Sequence, residues 1–145
     1  MTQVDFYLLQ KTAVYDRLLF ACRLADKAFG QGNQVYLHTD SEAQSTELDQ
    51  LLWTFQPGSF IPHQLASGYQ PRQAAGPEVL VGHQQPPAQY RQLMINLSSS
   101  VPDCFSRFER MIEIVVEDAA IKANSRINYR FYKDRGYPLV THTIN

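Results

Sequence analysis

The feature that most constrains this chain is the rhythm of its first 54 residues. Val4 to Leu9 (VDFYLL) is a short run of β-formers, and Val14 to Phe29 repeats apolar residues at helical spacing through Val14, Leu18, Cys22, Ala25 and Phe29. Gly30 and Gly32 stop that helix, and Gln34 to His38 (QVYLH) reads as a second strand. Thr39, Asp40 and Ser41 form a capping cluster before a helix running from Glu42 to about Trp53. Strand, helix, strand, helix at this spacing forces crossover connections. The expectation is a single α/β domain over residues 1–145, with right-handed crossovers, a largely parallel central sheet and helices on both faces.

The rhythm breaks between Thr54 and Pro77, where prolines and glycines alternate with Phe55, Phe60, Ile61, Leu65 and Tyr69. A loop this long in a compact domain is usually functional or disordered, and the apolar residues in its first half predict a packed one. Val79 to Val81 and Leu93 to Leu97 read as buried strands, separated by a polar turn at Gln84 to Gln89. Pro102 to Arg110 is predicted as a short helix with Phe105 and Phe108 inward, and Met111 to Val116 as the next strand. Glu117 and Asp118 open a terminal helix that ends at Gly136 and Pro138, before an edge strand from Pro138 to Thr143.

That helix carries the most distinctive charge pattern. At about 100° per residue, Ala120, Ala123, Ile127 and Phe131 fall on one arc expected to face the core, while Lys122, Arg126, Tyr129, Arg130 and Lys133 fall on another. Five basic residues lie between 122 and 135 against one acid, in a chain with 13 basic and 14 acidic side chains. The pattern fits a solvated terminal helix whose late cations complement the macrodipole. It equally fits a docking face for a ligand that is both acidic and apolar, because Tyr129 adds ring surface among the cations.

With a net charge of -1, no overall basic field draws the chain to duplex DNA. Cys22 and Cys104 lie far apart, and the opening MTQVDFYLLQ has neither a charged n-region nor a long apolar core. No apolar run approaches the ~18 residues of a membrane span. A reducing cytoplasm with free thiols is therefore expected.

Motifs of catalysis are scarce. His38, His63, His83 and His142 are scattered without metal-ligand spacing, and no phosphate-cradling glycine loop follows a strand. Asp5 and Glu113 sit within strands, where a solvent-facing or capping carboxylate is the expected reading ahead of a buried base. Ser98, Ser99 and Ser100 follow a strand and either line a crevice at the sheet's carboxyl edge or cap the next element. An enzyme with a site near Ser98 stays open on that basis. So does direct binding of single-stranded nucleic acid, with Tyr129 and Tyr132 flanking Arg130.

Three segments together carry a family resemblance: FYLL at the start, LLWTFQPGSFIPHQL at 51–65, and SRINYRFYKDRGYPL near the end. The chain resembles, essentially end to end, the chi subunit of bacterial DNA polymerase III, an accessory component of the clamp loader. Leu52-Trp53 followed by Ser59-Phe60-Ile61-Pro62-His63 is the most specific block, and residues 66–90 depart most. The resemblance implies a Rossmann-like fold without enzymatic activity; no metal or cofactor is expected from the residues. It implies binding to the acidic C-terminal tail of single-stranded DNA-binding protein, which ends in Ile-Pro-Phe with a free carboxylate, and on another surface to the psi subunit. Tail contacts carry over onto Trp53, Phe60, Val115, Lys122, Arg126, Tyr129 and Arg130, with Lys133 added at the rim. Trp53, Phe60 and Val115 are then expected to form an apolar pocket beside Arg126 and Arg130.

Overall fold

In the computed structural model, which describes residues 1–69 and 78–144, seven strands form one sheet in which every pairing is parallel. In chain order the elements are β1 (Gln3–Leu9), α1 (Val14–Gly30), β2 (Val35–His38), α2 (Glu42–Thr54), β3 (His63–Leu65), β4 (Val79–Gly82), β5 (Leu93–Asn96), β6 (Arg110–Val115), α3 (Ala119–Asp134) and β7 (Leu139–Ile144). Across the sheet the order is β3-β4-β2-β5-β6-β1-β7. This is the parallel α/β arrangement that the opening alternation predicts, and it is consistent with the Rossmann-like fold that the resemblance implies.

Helices cover both faces because side chains alternate along each strand. Val35, Leu37, Ile95, Ile112 and Ile114 face one way and pack with Leu18, Cys22 and Ala25 of α1 and Leu48 and Leu52 of α2. Val4, Phe6, Met94, Met111 and Val115 face the other way, under Tyr132 of α3 and the ring of Phe105. Ser41 caps α2 by accepting from the Gln44 N–H, as its capping cluster predicts.

The long loop after α2 contains an element that the sequence reading lacks. His63, Gln64 and Leu65 form edge strand β3 beside β4, preceded by the buried Ile61. Three residues beside a proline are too short for a period-two signal, so only the neighbouring strand makes this segment extended. A 3₁₀ turn at Ala66–Gly68 follows, and residues 70–77 lie outside the described residues.

The helix expected over Pro102 to Arg110 is a correction: only a 3₁₀ turn forms, at Phe105–Arg107. A three-residue repeat eclipses positions i and i+3, and so buries both Phe105 and Phe108 in too short a span for an α-helix.

Candidate functional site

Helix α3 is fixed at both ends by its own sequence. Asp118 caps the start, its carboxylate accepting from the Ile121 N–H at 3.1 Å. At the other end Gly136 takes φ 78°, while its N–H donates to the Lys133 carbonyl and that of Tyr137 to the Tyr132 carbonyl. That double bond pattern is the left-handed glycine stop expected from the Gly136-Tyr137-Pro138 run.

The rotation of α3 about its axis is not the one its apolar residues predict. Asn128 and Tyr132 are buried, Ile121 and Phe131 half-buried, and Ala120, Ala123 and Ile127 exposed, Ile127 to 69%. The arc assigned to the core therefore lies mostly in solvent. The cause is a polar anchor beneath the helix. Glu113 of β6, also contrary to expectation, is 3% exposed and accepts from Tyr132 Oη at 2.7 Å and Asn96 Nδ2 at 3.0 Å, with a further bond from Asn128. Burial pushes its carboxyl up to about 7, against the lowering effect of those bonds and of the Arg17 charge.

Asp5 is the second strand carboxylate, and it too is buried, at 1% exposure. Burial acts to raise its pKa, but hydrogen bonds from Arg110, Gln3 and His142 outweigh that effect and hold it below the usual value. It joins β6, β1 and β7 at the edge of the sheet.

With α3 rotated in this way, a groove of about 550 Å³ opens between it and the β1–β7 edge. Arg126, Arg130 and Lys133 line one wall, Tyr129 stands at the centre, and Phe6, Leu8 and Thr141 contribute from the strands. Tyr129 packs edge-on against Phe6 at 5.2 Å between centroids. Val4, Phe6 and Leu8 share one face of β1, and Leu8, at the carboxyl end, is still 36% exposed. Its register partner is Val115 of β6, which is 8% exposed. Lys122 lies three turns before Lys133 on the same side of α3, its ammonium 2.8 Å from Glu117. Of the residues expected to act together, the fold thus gathers Arg126, Tyr129, Arg130 and Lys133, with Val115 and Lys122 alongside.

Trp53 and Phe60 are not among them. The indole, 62% exposed at the end of α2, lies 4.6 Å from the ring of His63 on β3, and Phe60, in the loop leading to β3, is 86% exposed. β3 and β1 stand first and sixth in the sheet, and at ~4.8 Å per strand that is roughly 24 Å of separation. The expected pocket of Trp53, Phe60 and Val115 beside the guanidinium groups is therefore not formed. The apolar floor beside the cations is Phe6 and Leu8, whose signal was the period-two alternation of VDFYLL. Tyr132 is fully buried and bonded to Glu113, which removes it from any exposed aromatic pair around Arg130.

A second cavity, about 250 Å³, lies at the carboxyl ends of β5 and β6 and contains Ser98 and Ser99. Several of its polar groups are held by bonds within the fold. Ser98 Oγ lies 2.6 Å from Asn96 Oδ1 and 2.8 Å from the Ser100 carbonyl, and Ser99 donates to Asp40 through both N–H and hydroxyl. Arg17 donates to the carbonyls of Ile114 and Leu97. These bonds shape the loop and assemble no nucleophile with a base. Among the described residues no cluster of His, Cys, Asp and Glu is arranged to hold a metal, and no helix is long and apolar enough to cross a membrane.

Comparison with known proteins agrees with this architecture along the whole chain. The family model described as DNA polymerase III chi subunit, HolC, matches residues 1–140. The DNA polymerase III subunit chi of Pseudomonas aeruginosa is 45% identical over 144 residues, covering 99% of this chain and 98% of its own length. Those of Haemophilus influenzae and Escherichia coli are 31% and 30% identical, over 97% and 99% of this chain and 96% and 99% of their own lengths. The all-parallel fold and the end-to-end similarity give one answer: this chain belongs to the DNA polymerase III chi subunit family.

Proposed function

We propose that this chi-family chain is a non-catalytic, cytoplasmic adaptor whose α3–β1 groove binds the acidic C-terminal tail of single-stranded DNA-binding protein. The observation that carries the reading is the joining of three cations to an apolar floor in one groove. A chain terminus ending in Phe with a free carboxylate matches both halves. Burying such a ring against the exposed Leu8 and Tyr129 contributes roughly 2–3 kcal/mol. Arg126 and Arg130 hold the carboxylate by charge-assisted hydrogen bonds, each about 1.5–3 kcal/mol. Lys133 and Lys122 meet the upstream acids at the rim, where salt screens them. After ordering costs, a dissociation constant on the order of micromolar follows. Trp53 and Phe60, exposed at the opposite edge of the sheet, serve a separate contact, for which the psi subunit is the candidate. An adaptor with its two surfaces so far apart holds both partners at once and so connects the tail to the clamp loader.

Titration calorimetry with an acidic peptide ending in Ile-Pro-Phe tests the assignment. Binding that is lost on amidating the peptide's C-terminus supports it; equal binding by the amidated peptide would leave only diffuse charge attraction. Direct binding of single-stranded nucleic acid is the second reading, favoured by the half-exposed ring of Tyr129 among cations. An oligonucleotide that binds at moderate salt while the peptide does not would establish it instead.

A further inference from the structure

Helix α3 has two apolar flanks that compete for the same sheet face. Ile121 and Tyr132 pack inward, while Ala120, Ala123 and Ile127 point to solvent with Phe131 at the boundary. At about 100° per residue, a turn of the helix by one residue exchanges the flanks. Apolar burial is non-directional and hardly distinguishes the two, and the outward flank is the more apolar. Hydrogen bonds are directional. In the observed rotation Tyr132 Oη reaches Glu113 at 2.7 Å and Asn128 joins it, and in the exchanged one both would leave their acceptor.

We propose that Glu113 is the positioning residue of the cationic groove: its buried carboxyl selects which flank of α3 faces the sheet, and so places Arg126, Tyr129 and Lys133 beside β1. The link to the groove is short. Tyr129 and Tyr132 lie one turn apart, and both pack edge-on against Phe6, at 5.2 Å and 6.0 Å. A helix turned by one residue carries Tyr129 off Phe6 and swings Arg126 away from Leu8. Asn96 of β5 holds the carboxyl from the opposite side and itself bonds the Ser100 carbonyl, so the anchor is braced by the sheet and does not swing with the helix. Polar groups buried in this way specify one arrangement among several of similar apolar content.

The inference rests on the groove being the tail site only for its effect on binding, and the test separates the two. Ile127→Cys is introduced in a Cys104→Ser background, since Cys22 is buried, and its reaction with a thiol reagent is timed. The position is exposed, so labelling in the parent is fast. Glu113→Leu removes the acceptor and strands the Tyr132 hydroxyl and the Asn128 amide; labelling at 127 is expected to slow roughly tenfold or more, and affinity for the Ile-Pro-Phe peptide to fall at least tenfold. Glu113→Gln keeps an acceptor oxygen and restores both readouts. Glu113→Ala removes the acceptor without overpacking and carries the same expectation as the leucine. Labelling at the parent rate in whichever of the Leu and Ala variants folds overturns the proposal. If the parent protein fails to bind the peptide, the tail assignment falls, while the labelling rates still decide the role of Glu113.

Discussion

Leu8 and Val115 stand side by side in the register of β1 and β6, on the face of the sheet that α3 covers. Val115 is almost wholly buried, whereas Leu8 lies beyond the helix's cover and remains open to the groove. The cations of α3 therefore find their apolar complement on the strand next to them, and the exposed rings at 53 and 60 belong to another surface.

Arg126→Ala is expected to weaken peptide binding about tenfold or more, with little change in melting temperature because the side chain is exposed. Lys133→Ala should cost less, and its effect should fade as salt is raised, as rim charges do. Calorimetry at two ionic strengths checks both.

Leu8→Ala should lower peptide affinity by roughly 1 kcal/mol through lost apolar contact. Trp53→Ala and Phe60→Ala should leave the peptide titration unchanged, since both rings lie at the far edge of the sheet. Their effect is expected in capture of the psi subunit. A peptide affinity that drops in the Trp53 variant would return that indole to the tail site.

The buried carboxyl of Glu113 gives a pH dependence whose sign is fixed. Its folded value of about 7 lies above the ordinary 4.5, so between those limits the folded state holds the proton more tightly than the unfolded chain. Stability from this group is therefore fully present below pH 4.5 and falls as pH rises towards 7, by on the order of 3 kcal/mol. Arg17 from α1 opposes the change, and Tyr132 and Asn128 from α3 and Asn96 from β5 complete its surroundings. Glu113→Gln should flatten the decline in urea midpoints between pH 5 and 8. Asp5 acts in the opposite sense: its depressed value stabilises above pH 3.8 and is lost as acid protonates it. Asp5→Asn should remove that acid-side loss.

Gly136→Ala places a side chain at φ 78° and is expected to destabilise the protein by about 1 kcal/mol. Asp118→Ala removes the cap at the other end of α3 at a similar cost of about 1 kcal/mol. Thermal melts of the two single variants and the double should show near-additive losses, since the caps are a full helix length apart.

The sequence by itself determined the class of fold, because its cues are local. Alternation of strand and helix periods, the capping serine at 41 and the stop at Gly136 each act within a few residues, and each is found in place. The cationic stripe of α3 was legible for the same reason, being a matter of spacing along one helix. The side of the molecule that stripe would face was not. Its direction depends on Glu113, which sits on a different strand and binds residues 15 and 19 positions away in sequence, so no period within α3 records it. Strand order was equally hidden. It sets β3 far from β1 and thereby separates Trp53 from Arg126, a distance that only long-range pairing across the sheet decides.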